Sequence, residues 1–465
     1  MRTYEVVIIG AGPAGFFSAL YLSENLPQVS GKVLLIDKSS HIGGMGARTD
    51  GKLNLTTEIG MELPELRIKK EYAEKLISYI DSQFNQFEEL DLLGTDKEKV
   101  SFWEEKLKGA GLTLIPARQR HMGTDRAYRI MNNFRELLIK KEVSLMLGKE
   151  VIDIVKKKDG FLVVFEDEEI NCKYIIAAPG RTGAYWFRSI ANKLGIEWTY
   201  GNIDIGLRIE IDSKIMKEIT DIIYDPKIRY VTSSHGDKVR TFCTNPNGYI
   251  AIEDYKEFKI VNGHALNTKK SENTNFAILQ TIGLHAPFVD TTEYGKNIAM
   301  NVNLLGGNKP ILQRLGDLLR GRRTKLERFY DYGNLEPTIA YGNGSQEISG
   351  AVTLGDISMI YSKRILDNLM EFLNKLDSVF PGVYHPQTLI YAPEIKFYDI
   401  KYSTTTLLET NIENIFVAGD GCGKSRGIVG AALTGILAAT GIISKFKKVD
   451  FSEIEYGAES KQQKL

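Results

Sequence analysis

A short apolar run, YEVVII at residues 4–9, leads directly into Gly10-Ala11-Gly12-Pro13-Ala14-Gly15. An unalternating run of that length suits a parallel strand buried on both faces. The glycine spacing then restricts what can follow. Gly10 permits a tight turn, Gly12 puts no side chain in the path of a pyrophosphate, and Gly15 lets helix and strand pack closely. Pro13 and Ala14 open a helix predicted over residues 13–26, whose N-terminal amides and partial positive charge suit phosphates. A second strand over residues 32–36 ends at Asp37. It lies about 20 residues on, where a carboxylate accepts from ribose hydroxyls. The competing reading is a structural strand–helix turn.

A second strand–turn–helix lies near the other end. Residues Phe416-Val417-Ala418-Gly419-Asp420-Gly421 precede a helix starting near Gly427 and Ile428. Two such motifs at opposite ends resemble FAD proteins of the glutathione-reductase type rather than plain NAD dehydrogenases. That resemblance implies Asp420 at the ribitol–pyrophosphate region and a helix N-terminus aimed at the flavin pyrimidine edge, where reduced flavin carries negative charge. A third stretch, Ile175 to Arg181, resembles the strand that returns to the FAD domain after a hairpin turning at Asp159–Gly160.

The chain has 465 residues, which predicts two structural units. The pattern predicts an α/β fold: a Rossmann-like FAD-binding domain over 1–199 and 386–465, and an inserted, mainly antiparallel β substrate domain over 200–385. Residues 311–328 are expected to form a basic helix. The net charge is zero, so no nucleic-acid partner is expected. The three cysteines, Cys172, Cys243 and Cys422, form no C-x-x-C, and no metal site is expected. No signal peptide and no membrane-spanning stretch is read, so the expected location is cytoplasmic. The tail GAESKQQKL is expected to be disordered.

At the level of longer motifs the chain resembles a prokaryotic family of uncharacterised FAD-dependent dehydrogenases. The matching stretches are Thr49 to Leu53, His121 to Asp125, Ala178 to Phe187, Asp204 to Glu210, Arg240 to Cys243, Val261 to Ala265 and the Gly419-Asp420-Gly421 region. The resemblance implies the architecture above but no substrate. Two places depart from the family pattern. Cys243-Thr244-Asn245-Pro246 lacks a second nearby cysteine. The turn Gly421 to Gly427 carries Lys424 and Arg426, which puts positive charge where the flavin or an anionic substrate would sit.

The expected cofactor contacts at the first turn are Gly10, Gly12, Pro13, Ala14, Gly15, Asp37 and Lys38. Gly44, in the glycine-rich loop Gly43-Gly44-Met45-Gly46, and Val151 join them. Pro179, Gly180, Gly419, Asp420, Gly427 and Ile428 complete the set. Cys243, His121 and Cys422 are the candidate catalytic residues. A cysteine near flavin could be a redox partner or nucleophile, and a thiolate could be stabilised by Lys424 or Arg426; a cysteine is otherwise a small hydrophobe. His121 could be an acid/base and His264 is a parallel candidate, with His41, His235, His285 and His385 behind them. Thr124 or Asp125 could instead cap the following helix. Arg48, Asp50 and Lys52 could face flavin or substrate, or be solvated loop charges. Arg181, Arg208 and Arg240 could bind an anionic substrate group bidentately.

The leading expectation is an FAD-dependent oxidoreductase passing a hydride between flavin N5 and an unidentified small molecule. NAD(P)H, as a transient donor, or a redox protein would supply electrons, since only one complete G-x-G-x-x-G is present. The alternatives are an RNA-modifying flavoprotein, a lipid reductase of the geranylgeranyl reductase type, and a protein whose flavin is structural.

Overall fold

The computed structural model describes residues 2–47, 49–266, 269–339, 348–397 and 400–448. The expectations for Arg48 and for the tail fall outside the described residues. The chain forms two compact units, Met1–Asp91 with Arg120–Gly201 and Asp399–Leu465, and Leu92–Gln119 with Asn202–Tyr398.

The first unit is built on a seven-stranded sheet. Strand β1 (Arg2–Ile9) lies between β2 (Val33–Asp37) and the strand Glu169–Ala177, parallel to both. Ile8 pairs with Leu35 on one side and with Ile176 on the other. Val6 to Ile9 are all buried, as a central parallel strand requires. The strand Glu169–Ala177 serves two neighbours along one edge. Its first half pairs antiparallel with Gly160–Val164, and its last three residues pair parallel with Ile415–Val417. This places the carboxyl ends of three parallel strands, at Ile9, Ala177 and Val417, side by side. In open parallel sheets ligands bind at such ends. Helix α1 (Pro13–Asn25) follows β1, and the C-terminal helix Gly427–Lys447 packs along it.

That C-terminal helix corrects one expectation. With 21 residues and a mean hydropathy of 1.8 it is long and apolar enough to cross a membrane. Its composition follows instead from burial on all sides: 89% of its most apolar window lies inside the fold. Small residues permit the packing, since a Cβ on Gly435 would stand 2.0 Å from the Ala14 carbonyl oxygen.

The second unit holds an eight-stranded, mainly antiparallel sheet. Its central strand Ile203–Asp212 is flanked by Asn273–Ile282 and Leu389–Lys396. Its boundaries differ from the sequence expectation in three places: residues 200–201 fall in the first unit, and two further stretches fall in this one. Residues 92–119 belong here because strand Thr113–Ile115 pairs with Lys227–Val231 and Trp103 stacks on Phe380 at 5.5 Å. Residues 386–397 also belong here, because Leu389–Lys396 is interior to this sheet. The basic helix expected over residues 311–328 does not form. Ile311–Arg314 is a strand pairing with Leu389–Ala392, a short helix covers Leu315–Leu318, and Gly321 turns the chain at φ +60°. Its arginines are used internally: Arg314 is fully buried on Phe329, and Arg322 and Arg328 meet Asp317.

Candidate functional site

The β1–α1 turn is shaped by backbone contacts. Gly10 takes φ +105°, and a Cβ there would meet the Ala178 carbonyl oxygen at 2.0 Å. A Cβ on Gly15 would meet the Gly10 carbonyl oxygen at 1.8 Å. Gly12, which caps α1, is different: a Cβ there would meet nothing within 4 Å. Two of the three glycines are therefore required by the protein's own packing. The third borders open space at a helix N-terminus, as an incoming pyrophosphate would need. Asp37 braces the turn, accepting the Ala11 amide at 2.7 Å and the Ser39 amide at 2.8 Å. Each carboxylate oxygen retains acceptor capacity for a ribose hydroxyl. Lys38 is exposed, 3.7 Å from Glu150.

Other segments converge on this turn. The Gly43 amide donates to the Ala11 carbonyl at 2.7 Å. A Cβ on Gly44 would lie 3.3 Å from the Gly12 Cα, and one on Gly46 would lie 3.3 Å from Pro13 and 3.5 Å from Ile428. From the end of the chain, Gly419 at φ +81° comes so close that a Cβ would lie 3.0 Å from the Ala14 Cβ. Asp420 accepts from Ser425 Oγ at 3.1 Å and from the Gly427 amide at 3.2 Å, which closes the loop before the C-terminal helix. The Arg181 Nε stands 3.8 Å from the same carboxylate. A Cβ on Gly421 would strike the Gly180 carbonyl oxygen at 2.1 Å. Pro179 caps helix Gly180–Leu194. Val151 is buried in the apolar cluster behind the sheet. The loops holding Gly12, Gly44 and Gly419 thus meet at the start of α1.

His121, Asp50 and Lys52 form a cluster that the sequence reading does not pair. The Asp50 Oδ2 lies 3.1 Å from Lys52 Nζ and 3.7 Å from His121 Nε2, and no side chain of the three exceeds 10% exposure. Two backbone bonds clasp the segments: Met122 N to Gly51 O at 3.1 Å and Gly123 N to Asp50 O at 2.8 Å. Asp50 sits four residues beyond Gly46, and Lys52 opens the strand Lys52–Leu55, which packs on the C-terminal helix. The capping reading of Thr124 is corrected: Gly123 is the N-cap at φ +78°, and Thr124 is already helical. A buried acid between two basic groups is rare outside structural ion pairs and reactive sites.

The cysteines separate by environment. Cys422 is fully buried and its Sγ donates to the Ala177 carbonyl at 3.4 Å. Burial pushes its thiol up to about 12, far outweighing the nearby Lys424. The expectation of a reactive thiolate at Cys422 is therefore corrected: it is a protonated core residue at neutral pH. Cys172 is likewise buried and pushed to about 12. Cys243, in the second unit, is half-exposed at φ +49°, at a register break in strand Lys238–Asn245. Its carbonyl accepts from Asn245 Nδ2 at 2.8 Å and from Arg208 Nη1 at 3.1 Å. Arg208 is itself fully buried against Glu394 at 2.9 Å, which corrects its reading as a substrate anchor. Arg240 is spent on Asp204 and on the Phe242 ring. His264 packs edge-on against Tyr249 at 6.0 Å. His41 meets Tyr128, and His235 lies 3.5 Å from Asp367. Among the described residues no group of three metal-ligating side chains occurs.

The parallel sheet, the glycine turn and the strand-end acid define a Rossmann-like dinucleotide-binding unit within a mixed α/β chain. Residues 8–61 match the NAD(P)-binding Rossmann-like domain family. Over 473 residues the chain is 23% identical to an uncharacterised protein of Clostridium beijerinckii, covering 95% of this chain and 81% of that one. An uncharacterised protein of Methanosarcina barkeri is 23% identical over 61% of this chain and 60% of its own. Among solved structures, a glycine oxidase from Geobacillus kaustophilus aligns with TM-score 0.42 and 10% identity, over 98% of this chain and 99% of that one. A geranylgeranyl bacteriochlorophyll reductase-like protein from Thermoplasma acidophilum aligns with TM-score 0.40 and 11% identity, over 96% and 80%.

Proposed function

We propose that this chain is an FAD-dependent oxidoreductase of the glutathione-reductase type, acting on a small-molecule substrate. One observation carries the reading: a second strand–turn–helix, from the end of the chain, closes on the start of α1, with Gly419 against Ala14. A nicotinamide dehydrogenase needs only the first turn. A cofactor that continues past the pyrophosphate into a ribityl chain and a ring system needs the second.

The bound flavin would supply hydride transfer at N5. The chain's residues supply the rest. Gly12 and the amides of Ala14 and Gly15 receive the pyrophosphate, Asp37 the ribose, and Gly44 lets a second loop approach. Asp420 holds the turn that starts the C-terminal helix, whose N-terminus at Gly427 and Ile428 favours negative charge beside it. His121 carries the proton that accompanies the hydride, and Asp50 orients its ring. NAD(P)H binding transiently, or a redox protein, is the electron source in this reading.

The test is the visible spectrum of the purified chain, followed by anaerobic NADH and then NADPH. Flavin bands near the usual absorption support the reading, and bleaching by one nicotinamide identifies the donor. Bleaching only by dithionite assigns donation to the substrate or a protein. A colourless protein to which FAD binds no better than free adenine nucleotides overturns the proposal.

A further inference from the structure

Lys424 lies in the turn between Asp420 and the C-terminal helix. Its side chain is only partly exposed. Among the described residues its ammonium has no hydrogen bond and no ion pair. Lysines that lose solvent normally find a carboxylate, so this one is out of the ordinary.

Its surroundings are cationic. Gly423 is pressed onto strand Ile400–Tyr402, where a Cβ would stand 3.0 Å from the Lys401 Cα. Arg67, itself in the left-handed region at φ +56°, donates from Nη2 to the Thr404 carbonyl at 3.1 Å. Residues 400–404 therefore gather Arg67, Lys401 and Lys424 at one place. Among the described residues, Glu65 faces them and is taken by Lys401 at 2.5 Å, and Glu62 lies against Glu65. Among the described residues neither Lys424 nor Arg67 forms an ion pair with a carboxylate. Burial, followed by the repulsion of Arg67 and Lys401, holds the Lys424 ammonium below the usual lysine range, against the pull of Glu65. Arg426 is outside the group: its amide donates to Gly60 and its Nη1 to the Ser425 carbonyl.

We propose that Lys424 and Arg67 form a receptor for one small oxyanion, a carboxylate or a phosphate. An anion placed there would supply the missing counter-charge, with Arg67 offering a planar fork and Lys424 a point charge. The position, on the turn that closes the cofactor cradle, makes the anion a handle of the redox substrate. That last assignment rests on the flavoenzyme reading; the anion site itself does not.

The experiment is calorimetric titration of the purified full chain, FAD-loaded, with sodium acetate and separately with inorganic phosphate, at ionic strength held constant with chloride. Saturable one-site binding is expected for one of the two. Acetate binding identifies a carboxylate handle and phosphate binding a phosphorylated one. Lys424→Gln and Arg67→Gln each weaken it at least tenfold, Arg67→Lys recovers part of the loss, and Lys447→Gln, on the exposed end of the last helix, changes nothing. Thermal melts run alongside show that each variant is folded. No saturable binding of either anion overturns the proposal, as does a folded Lys424→Gln that binds as tightly as the parent. Loss of FAD affinity in Lys424→Gln with anion binding intact would also overturn it, reassigning the lysine to the cofactor. A chain that purifies without flavin sinks the flavoenzyme reading alone, and the same titration then decides the anion site.

Discussion

The Ala11 amide donates to the Asp37 carboxylate at 2.7 Å, so the acid that ends the second strand also holds the glycine turn in place. A buried amide left without its acceptor costs about 1–3 kcal/mol. Asp37→Ala is therefore expected to lower both thermal stability and FAD affinity. Asp37→Asn falls between, because its amide carbonyl can serve one of the two backbone donors. Flavin fluorescence titration beside a thermal melt reads both effects. A large loss of affinity with an unchanged melt would show that the carboxylate serves the cofactor alone.

The two neighbouring glycines should behave oppositely. Gly12→Ala adds a Cβ into open space at an ordinary φ of −73°, so the apo protein should keep its stability within about 0.5 kcal/mol. The same methyl stands where a pyrophosphate would approach, so FAD affinity should fall at least tenfold. Gly15→Ala puts a Cβ 1.8 Å from the Gly10 carbonyl oxygen and must displace the helix, at a cost of about 1–3 kcal/mol. Urea denaturation of both apo variants separates the cases. Equal destabilisation would mean that the space beside Gly12 is filled by the protein.

Thiol chemistry should follow burial. Iodoacetamide at neutral pH is expected to label Cys243 in the native chain and to spare Cys172 and Cys422, whose thiols stay protonated well above pH 8. Peptide mass spectrometry reads the three sites separately. Rapid native labelling of Cys422 would reopen it as a reactive residue.

How much of this is legible in the sequence depends on the range of the interaction. The β1–α1 turn and the Asp37 strand end are local, and strand, glycines and acid lie within 40 residues. The pairing of Asp50 with His121 joins a loop to the end of strand Arg118–His121, about 70 residues apart, and has no periodic signal; the left-handed turn at Gly51, φ +67° against Met122, appears only in the structure. The expected helix over residues 311–328 failed because basic residues at helical spacing look like a solvated face. In fact Arg314 is fully buried, and strand pairing to Leu389–Lys396 overrides local propensity. The boundary near residue 386 failed for the same reason, since a strand's partner cannot be read from the strand. Cys422 looked reactive from its charged neighbours, and its burial is visible only in three dimensions.

The Asp50 cluster gives a stability prediction that needs no substrate. Removing one member of a buried charge group costs about 3–5 kcal/mol, whereas replacing the group with apolar residues can be near neutral. Asp50→Ala should thus be strongly destabilising, while Asp50→Leu combined with Lys52→Met should recover most of the loss. A double-mutant cycle by urea denaturation measures the coupling. An Asp50→Ala chain as stable as the parent would mean that water reaches the cluster.

In the second unit, Glu371 ties helix Lys363–Asp377 to the chain after strand Lys227–Val231. It accepts from Ser233 N at 2.6 Å, Tyr230 Oη at 2.7 Å and Ser234 N at 3.1 Å. Burial alone would raise its carboxyl, but the hydrogen bonds from Ser234, Tyr230 and Ser233 together hold it at about 2, against 4.5 for an ordinary glutamate. A carboxyl lowered on folding stabilises the native state above the unfolded value and loses that contribution as pH falls toward the folded one. Glu371→Gln should therefore be less stable than the parent at pH 7. The gap between their urea midpoints should narrow as pH falls from about 4.5 toward 2. The group is partly solvated, so the effect is modest and its pH window is the diagnostic feature. A gap that stays constant across that window would show that Glu371 contributes hydrogen-bond geometry rather than charge.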